Sequence, residues 1–431
     1  LSSKNLKFGI LKSKTEKHYM RLLIVGNGGR ASALAVKLSE DNRITKMFFA
    51  PGNATTEELG ENINETDIIA LRDFAIKNKV DLTIVGPEAP LVEGIVDEFK
   101  KVDLKVFGPS QKAASLEGSK AFSKKFMQTY GIKTAKSVTF DSYAEAKDYL
   151  QSQNFPIVIK ASGLAGGKGV VIAEDLEEAE GTIHDFMIKR VFGDAGIQVV
   201  IEEFLKGFEA SIIGVSNGDK IFPFVAAKDY KKAGNGDKGP NTGGMGSVAP
   251  SPEFTEAHNQ DFIQNIMNPT VEGLKKEGLN FKGFIFFGLM ITNNGTYLLE
   301  YNMRLGDPET QVLLPLLENK LVDVIEDCLN GKELDLKFKD KKAVCLVVCS
   351  GGYPKNHETG YEITGADKVK NSTLLYAGAD YRGDRIVSTG GRVLNLVALG
   401  DTYDEARKKV YEDAVPVDFD YGFYREDIAK F

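Results

Sequence analysis

Apolar positions in the first part of the chain recur in two alternating rhythms. Met20–Gly26 (MRLLIVG) is a continuous apolar run ending in glycine, and Ala31–Leu38 follows with the spacing of a helix face. Strand-like Lys46–Ala50, helical Leu71–Lys79, strand-like Asp81–Val85, helical Leu91–Lys100 and strand-like Lys105–Phe107 extend the alternation. Strands alternating with helices predict parallel βαβ units, so this part reads as a doubly wound α/β domain. Gly108–Pro109 closes it, and Ser119–Tyr130 reads as a helix stopped by Gly131.

Beyond Tyr130 the pattern changes. Strand-like Pro156–Ala161 and Val170–Ala173 flank a glycine-rich turn, and helical Leu176–Arg190 and strand-like Gln198–Phe204 follow. Tyr230–Pro250 is rich in Gly, Asn, Lys and Pro, has no periodicity, and reads as one long loop. Phe284–Thr292 and Thr296–Asn302 form a hairpin signal around Asn293-Asn294-Gly295. Strand-like Ala343–Cys349 and Val393–Leu399, with helical Asp404–Asp413, predict a small C-terminal α+β domain.

Composition narrows the function classes. A length of 431 residues suggests about three domains. A net charge of −7 argues against a nucleic-acid partner, while leaving room for a local anion site. Three cysteines (Cys328, Cys345, Cys349) cannot frame a disulfide scaffold, which points to a reducing cytoplasm. Cys345 and Cys349, inside the apolar AVCLVVC, read as core thiols. The four histidines are scattered and give no zinc or Ser–His pattern. No apolar run approaches the ~20 residues of a membrane-spanning helix. The polar, lysine-rich residues 1–19 read as a tag or upstream extension.

Four motifs can carry chemistry. Gly26-Asn27-Gly28-Gly29-Arg30-Ala31 follows the first strand and fits G-x-G-x-x-A, in which a tight turn and a helix N-terminus receive an anion. The second strand ends in Phe48-Phe49-Ala50-Pro51-Gly52-Asn53, without the acidic residue that would hold an adenosine ribose. The loop is therefore read as a phosphate site that is not for NAD. Pro51-Gly52-Asn53 and Gly86-Pro87-Glu88 sit past later strands and should face the same crevice. Gly163-Leu164-Ala165-Gly166-Gly167-Lys168-Gly169 lies between strands and departs from the P-loop order. It reads as a flexible lid whose N–H groups and Lys168 cover phosphates, with Lys160 aimed at the same anion. Glu300 and Asn302 share one strand face, so their oxygens can reach one hard cation, and Arg304, Asp307 and Glu309 follow around a turn. An Arg beside such a site can clamp a carboxylate. Glu202-Glu203-Phe204-Leu205 with Glu209 is a weaker, carboxylate-rich strand end.

Together these residues resemble the ATP-grasp superfamily and, more narrowly, the glycinamide ribonucleotide synthetase family. The segments that carry the resemblance are VGNGGR (25–30), APGN (50–53), DLTIVGPEAPLV (81–92), LEGSKAF (116–122), GLAGGKGV (163–170), IEEFLKGFEAS (201–211), GPNTGGMG (239–246), RLGDPETQ (304–311) and TGGRVL (389–394). The resemblance implies an N-terminal pre-ATP-grasp domain over 20–122 that binds phosphoribosylamine. An ATP-grasp domain over 123–325 would follow, with a mobile lid at about 135–205, then a C-terminal domain over 326–431. The implied reaction joins glycine to 5-phosphoribosylamine through glycyl phosphate, using ATP with Mg2+ or Mn2+. By the same resemblance Lys120 and Lys160 contact ATP, Gly163–Gly169 closes over its phosphates, and Glu202, Phe204 and Leu205 hold adenine with Glu209 at the ribose. Glu300 and Asn302 would ligate the metal. Asp229, Gly244-Met245-Gly246, Arg304 and Asp307 would frame glycine and the amine. Gly26–Arg30, Pro51–Asn53 and Gly86–Glu88 would take the phosphoribosyl group. A cytoplasmic monomer or weak dimer, with small-molecule partners and neither nucleic acid nor membrane, is expected.

The chain departs from the family pattern at several points. Arg30-Ala31-Ser32 stands where Arg-Glu-His is usual, Asp229-Tyr230-Lys231-Lys232 where Asp-His-Lys-Arg is usual, Ser162 for Asp and Met303 for Cys. Gly288-Leu289-Met290 offers no acidic metal ligand, so the cation must rest on Glu300, Asn302 and ATP. Competing readings are another ATP-grasp ligase of purine synthesis, an NAD(P)-dependent oxidoreductase, and an inactive nucleotide-binding relative.

Overall fold

The structure is a computed structural model that describes residues 19–431; apart from Tyr19, the opening segment read as a tag or extension lies outside the described residues. Five strands, β1 (Met20–Gly26), β2 (Ile44–Pro51), β3 (Glu61–Asn62), β4 (Leu82–Val85) and β5 (Val106–Phe107), pair in parallel in the order β3-β2-β1-β4-β5. Helices α1 (Gly29–Ser39), α2 (Ala54–Leu59), α3 (Ile68–Lys77), α4 (Glu88–Glu93) and α5 (Ile95–Lys100) connect them. The apolar run of β1 is continuous because both faces are covered. Leu22 and Ile24 join one core, while Leu23 and Val25 join another. The predicted helix Leu91–Lys100 is interrupted: Gly94 takes φ 95°, a left-handed stop that ends α4 before α5 begins.

Helices α6 (Gln111–Gly118) and α7 (Lys120–Thr129), the latter capped by Ser119, lead out of this domain. The chain then builds β6 (Ser137–Phe140), α8 (Tyr143–Leu150), β7 (Ile157–Ala161), β8 (Val170–Ala173), α9 (Leu176–Ile183) and β9 (Val199–Glu203). These strands form an antiparallel sheet, β6-β9-β7-β8, over a separate core that includes Ile157, Ile159, Leu150 and Ile183. Helix Leu176–Arg190 of the sequence reading is shorter: it becomes a π turn at His184–Ile188.

The next segment differs most from expectation. β10 (Phe208–Asn217), a ten-residue strand that the sequence reading missed, and β11 (Ile221–Pro223) are followed by β12 (Lys228–Asp229), β13 (Lys232–Gly234), β14 (Lys238–Asn241) and β15 (Gly246–Ala249). Tyr230–Pro250 is therefore not one long loop. Its strands are three or four residues long and too short to show periodicity. β15 becomes an inner strand only because it pairs with a strand far along the chain. β16 (Lys282–Thr292) and β17 (Gly295–Asn302) form the foreseen hairpin and complete the antiparallel sheet β11-β10-β16-β17.

β18 (Lys342–Cys349), β19 (Thr373–Tyr376), β20 (Ala379–Arg382), β21 (Arg385–Ser388) and β22 (Arg392–Gly400) finish the strand list. The C-terminal sheet runs β12-β15-β18-β22-β19, with helix Tyr403–Ala414 packed on it. Cys345 and Cys349 are fully buried there as free thiols, as the apolar run implied.

Candidate active site

The parallel sheet brings its three glycine loops to one edge. Gly52 N–H donates to Gly26 O at 3.1 Å and Gly86 N–H to Val25 O at 2.9 Å, so the loops after β1, β2 and β4 lie side by side. Arg30, in the first turn of α1, donates to the Gly86 and Gly306 carbonyls and lies 4.0 Å from Glu88. Gly29 is held by close approach: a Cβ there would lie 2.5 Å from Asn395 Nδ2 and 2.6 Å from Gln311 Nε2. Asn27 is exposed beside it. Asn53 is not open to the crevice. It is 1% exposed, caps α2 through Thr56 N–H, and donates to Asn27 O and Tyr376 O. Ser32, in the place of the family's usual histidine, donates to Tyr376 O at 2.6 Å and so ties this domain to β19.

Beyond Arg30 lies a buried cluster of alternating charge. Arg304 reaches Glu117 at 2.8 Å and Glu88 at 3.2 Å, and Glu117 also accepts from Met303 N–H at 2.7 Å. Burial and the neighbouring Arg304 pull Arg30 down to about 10. Burial works against ionisation of Glu88, but Arg304 and Arg30 outweigh it and hold the carboxyl below its ordinary range. Burial pushes Glu117 up.

Glu300 is the hub of the next stretch. Burial opposes its charge, yet Lys231, Lys160, Lys120 and Arg304 together hold it below the ordinary carboxylate range. Gly288 faces it across the β16–β17 ladder, where a Cβ would approach Glu300 Cγ to 3.3 Å. Lys160 ion-pairs with Glu202 at 3.0 Å and donates to Leu299 O; Lys120 donates to Gly163 O. Above them the tip of the glycine turn is open: Gly166 and Gly167 take φ 55° and 75° with nothing near their missing Cβ atoms, and Lys168 is exposed. At the base, a Cβ on Gly163 would meet Ala195 at 2.7 Å, and one on Gly169 would meet Ala165 at the same distance. Phe204 and Leu205 line a cavity of about 580 Å³ with Asn293, Asn294 and Tyr297.

The far end is built from the C-terminal sheet. Asp229 Oδ1 is buried with no hydrogen-bond partner, and burial and Glu309 push its carboxyl well above the usual range. Lys231 ion-pairs with Glu209, and Ser211 donates to Glu309 at 2.9 Å. Asp307 accepts from Gln311 at 2.8 Å and lies 3.4 Å from Arg392, which also donates to Gly243 O. A Cβ on Gly244 would meet Asp229 Oδ1 at 2.7 Å. Met245 is fully buried, so its side chain belongs to the core and does not face this crevice. Gly246 is likewise inside the sheet, and a Cβ on it would meet Cys345 O at 2.7 Å.

Among the described residues no group of three or more His, Cys, Asp or Glu could hold a metal. Glu300 and Asn302 supply two oxygen donors on one strand, a set that fits a hard cation completing its shell with phosphate oxygens.

Three models of one family match most of the chain: the phosphoribosylglycinamide synthetase N domain at 20–117, its ATP-grasp (A) domain at 118–310 and its C domain at 343–431. The chain belongs to the phosphoribosylglycinamide synthetase family. Its similar relatives include a phosphoribosylamine–glycine ligase of Clostridium acetobutylicum, 49% identical over 95% of this chain and 100% of the relative. One from Fusobacterium nucleatum is 48% identical over 95% of this chain and 98% of its own length. The crystal structure of the Thermotoga maritima phosphoribosylamine–glycine ligase superposes with a TM-score of 0.83 at 35% identity, covering 95% of this chain and all of that one. A biotin carboxylase domain of Hydrogenobacter thermophilus, at 14% identity and a TM-score of 0.72 over 94% of this chain and 92% of that one, shares the fold alone.

Within this synthetase scaffold, Glu117, Lys124, Glu309 and Arg392 are site neighbours to which sequence reasoning gave no role. Glu117 lies inside LEGSKAF, Lys124 just past its end, and Arg392 inside TGGRVL, so the motifs marked their neighbourhoods. Their partners come from distant strands, and spacing could not supply them.

Proposed function

We propose that this chain joins glycine to 5-phosphoribosylamine, giving glycinamide ribonucleotide, ADP and phosphate, a step of purine biosynthesis. The γ-phosphoryl group of ATP passes to the glycine carboxylate. The amine of phosphoribosylamine then attacks the acyl carbon of glycyl phosphate, and phosphate leaves with the bonding pair. The observation that carries this reading is Glu300, a buried carboxylate held charged by Lys231, Lys160, Lys120 and Arg304, of which Lys120 also donates to Gly163 O at the base of the glycine-rich turn. Such a site neutralises and positions phosphates without a protein nucleophile.

In this reading Lys120 and Lys160 hold ATP phosphates, Gly163–Gly169 with Lys168 covers them, and Phe204 and Leu205 receive adenine, with Glu209 near the ribose; the buried Glu202 carboxylate, flanked by Lys124 and Lys160, serves as their counter-ion and leaves the base to its neighbours. Glu300 and Asn302 hold Mg2+ or Mn2+, which when bound neutralises charge on the transferring phosphoryl group. Asp229 offers its unpartnered oxygen to an amine N–H, and Arg304 and Asp307 frame the glycine end with Gly244 and the neighbouring backbone. Gly26, Asn27, Gly28 and Arg30, with Pro51, Gly52, Gly86, Pro87 and Glu88, cradle the phosphoribosyl group. Residues 20–122, 123–325 and 326–431 divide the work as phosphoribosylamine, ATP and closing domains, with the lid near 135–205. We assign the protein to the cytoplasm as a monomer or weak dimer. No helix among the described residues is long and apolar enough to cross a membrane.

The test is ADP release with each substrate omitted in turn. Turnover should require both glycine and phosphoribosylamine, and Glu300→Ala should abolish it. Turnover with bicarbonate or formate in place of glycine would overturn the assignment.

A further inference from the structure

Lys124 lies in the middle of α7, one turn beyond Lys120, and is 3% exposed. Its ammonium sits 3.1 Å from Glu202 Oε2 and donates to Thr134 Oγ1 at 2.7 Å. Thr134 in turn donates to Leu298 O, on β17. The other Glu202 oxygen is 3.0 Å from Lys160, and Glu202 itself is 3% exposed. Lys160 and Glu202 lie diagonally on β7 and β9, since Val200 stands opposite Lys160 and Val158 opposite Glu202. A single buried carboxylate therefore divides its charge between two ammonium groups. One comes from the helix under the lid and the other from the lid's own sheet.

Lys160 cannot be fully neutralised in this arrangement while Lys124 is charged. Buried charges that share a partner compete for it, and removing one concentrates the carboxylate on the other. Burial draws Lys124 down to about 8, with Glu202 opposing. We propose that Lys124 is a positioning residue: by holding one oxygen of Glu202 it keeps Lys160 electropositive and aimed at the ATP phosphates. This rests on the reading of Lys160 as a phosphate ligand given above.

The test is a double-mutant cycle in the full chain, following KM for ATP, kcat at saturating ATP, and melting temperature. Lys124→Met should raise KM for ATP on the order of tenfold, the scale of one weakened charge-assisted contact, and change kcat little. Adding Glu202→Gln should bring KM back toward the wild-type value, because Lys160 is then released. Lys124→Arg should keep KM near wild type and guards against a simple failure to fold. An unchanged KM in Lys124→Met, or a double variant worse than the single one, would overturn the proposal. Lys160→Ala separates the two levels. If it leaves KM for ATP unchanged, the underlying assignment of Lys160 fails; if it raises KM while Lys124→Met does not, only the positioning role fails.

Discussion

Two glycine-rich loops face the crevice, and glycine serves opposite purposes in them. At Gly29 it is there because space is missing: Asn395 and Gln311 of other segments press against the first turn of α1. At Gly166 and Gly167 it is there because of the backbone, which takes left-handed angles in open space. The first loop is sewn into the molecule by Ser32, Asn53 and Thr55, all hydrogen-bonded to the main chain of Tyr376. The second crowns a sheet with its own core, separate from the rest. A rigid cradle and a separable cover are what a reaction needs when one substrate must be held and a reactive acyl phosphate shielded from water.

The contrast can be broken most strongly at Gly29. Gly29→Ala must displace the buried amide ends of Asn395 and Gln311 from their hydrogen bonds to Leu375 O and Asp307, and should lower stability by about 1–3 kcal/mol, read as a shifted denaturant midpoint. An unshifted midpoint would mean that the cradle is looser than its packing suggests.

A second probe is pH. Lys124, near 8, loses its proton as pH rises through that value, which leaves Glu202 wholly to Lys160. The groups facing Lys124 are Glu202 from β9, Lys160 from β7, Glu300 from β17 and the Thr134 hydroxyl. KM for ATP should therefore climb several-fold as pH passes from below to above about 8. Arg30, near 10, stays charged across that window, so binding of glycinamide ribonucleotide at the cradle should hold level. Parallel pH profiles for the two ligands would erase the distinction.

The smallest effect belongs to the lid tip. Gly166→Ala meets no atoms and costs only left-handed backbone strain, about 1 kcal/mol. The melting temperature should barely move, while KM for ATP shifts modestly. A large loss of stability there would show that the tip is packed after all.

Much of this was legible in the residue pattern where local rules apply. The β1 run leading into Gly26, the β16–β17 hairpin at Asn293-Asn294, and the placing of Glu300 and Asn302 on one strand face each follow from periodicity or turn chemistry within a few residues. β10 is also legible, in its apolar run Ile212–Val215. β15 is not. Four residues with a glycine carry no rhythm, and its place in the sheet depends on β18 and β12.

The sequence by itself determined the alternating βαβ start, the glycine turns and the motifs that name the family, because these depend on backbone geometry and near neighbours. Tertiary structure alone decided which charges share a partner. It set Glu117 against Arg304, Lys124 and Lys160 on one carboxylate, and Glu309 beside Asp229. It also buried the Asn53 and Met245 side chains. Burial and Coulomb coupling act through space, and spacing along the chain does not carry them.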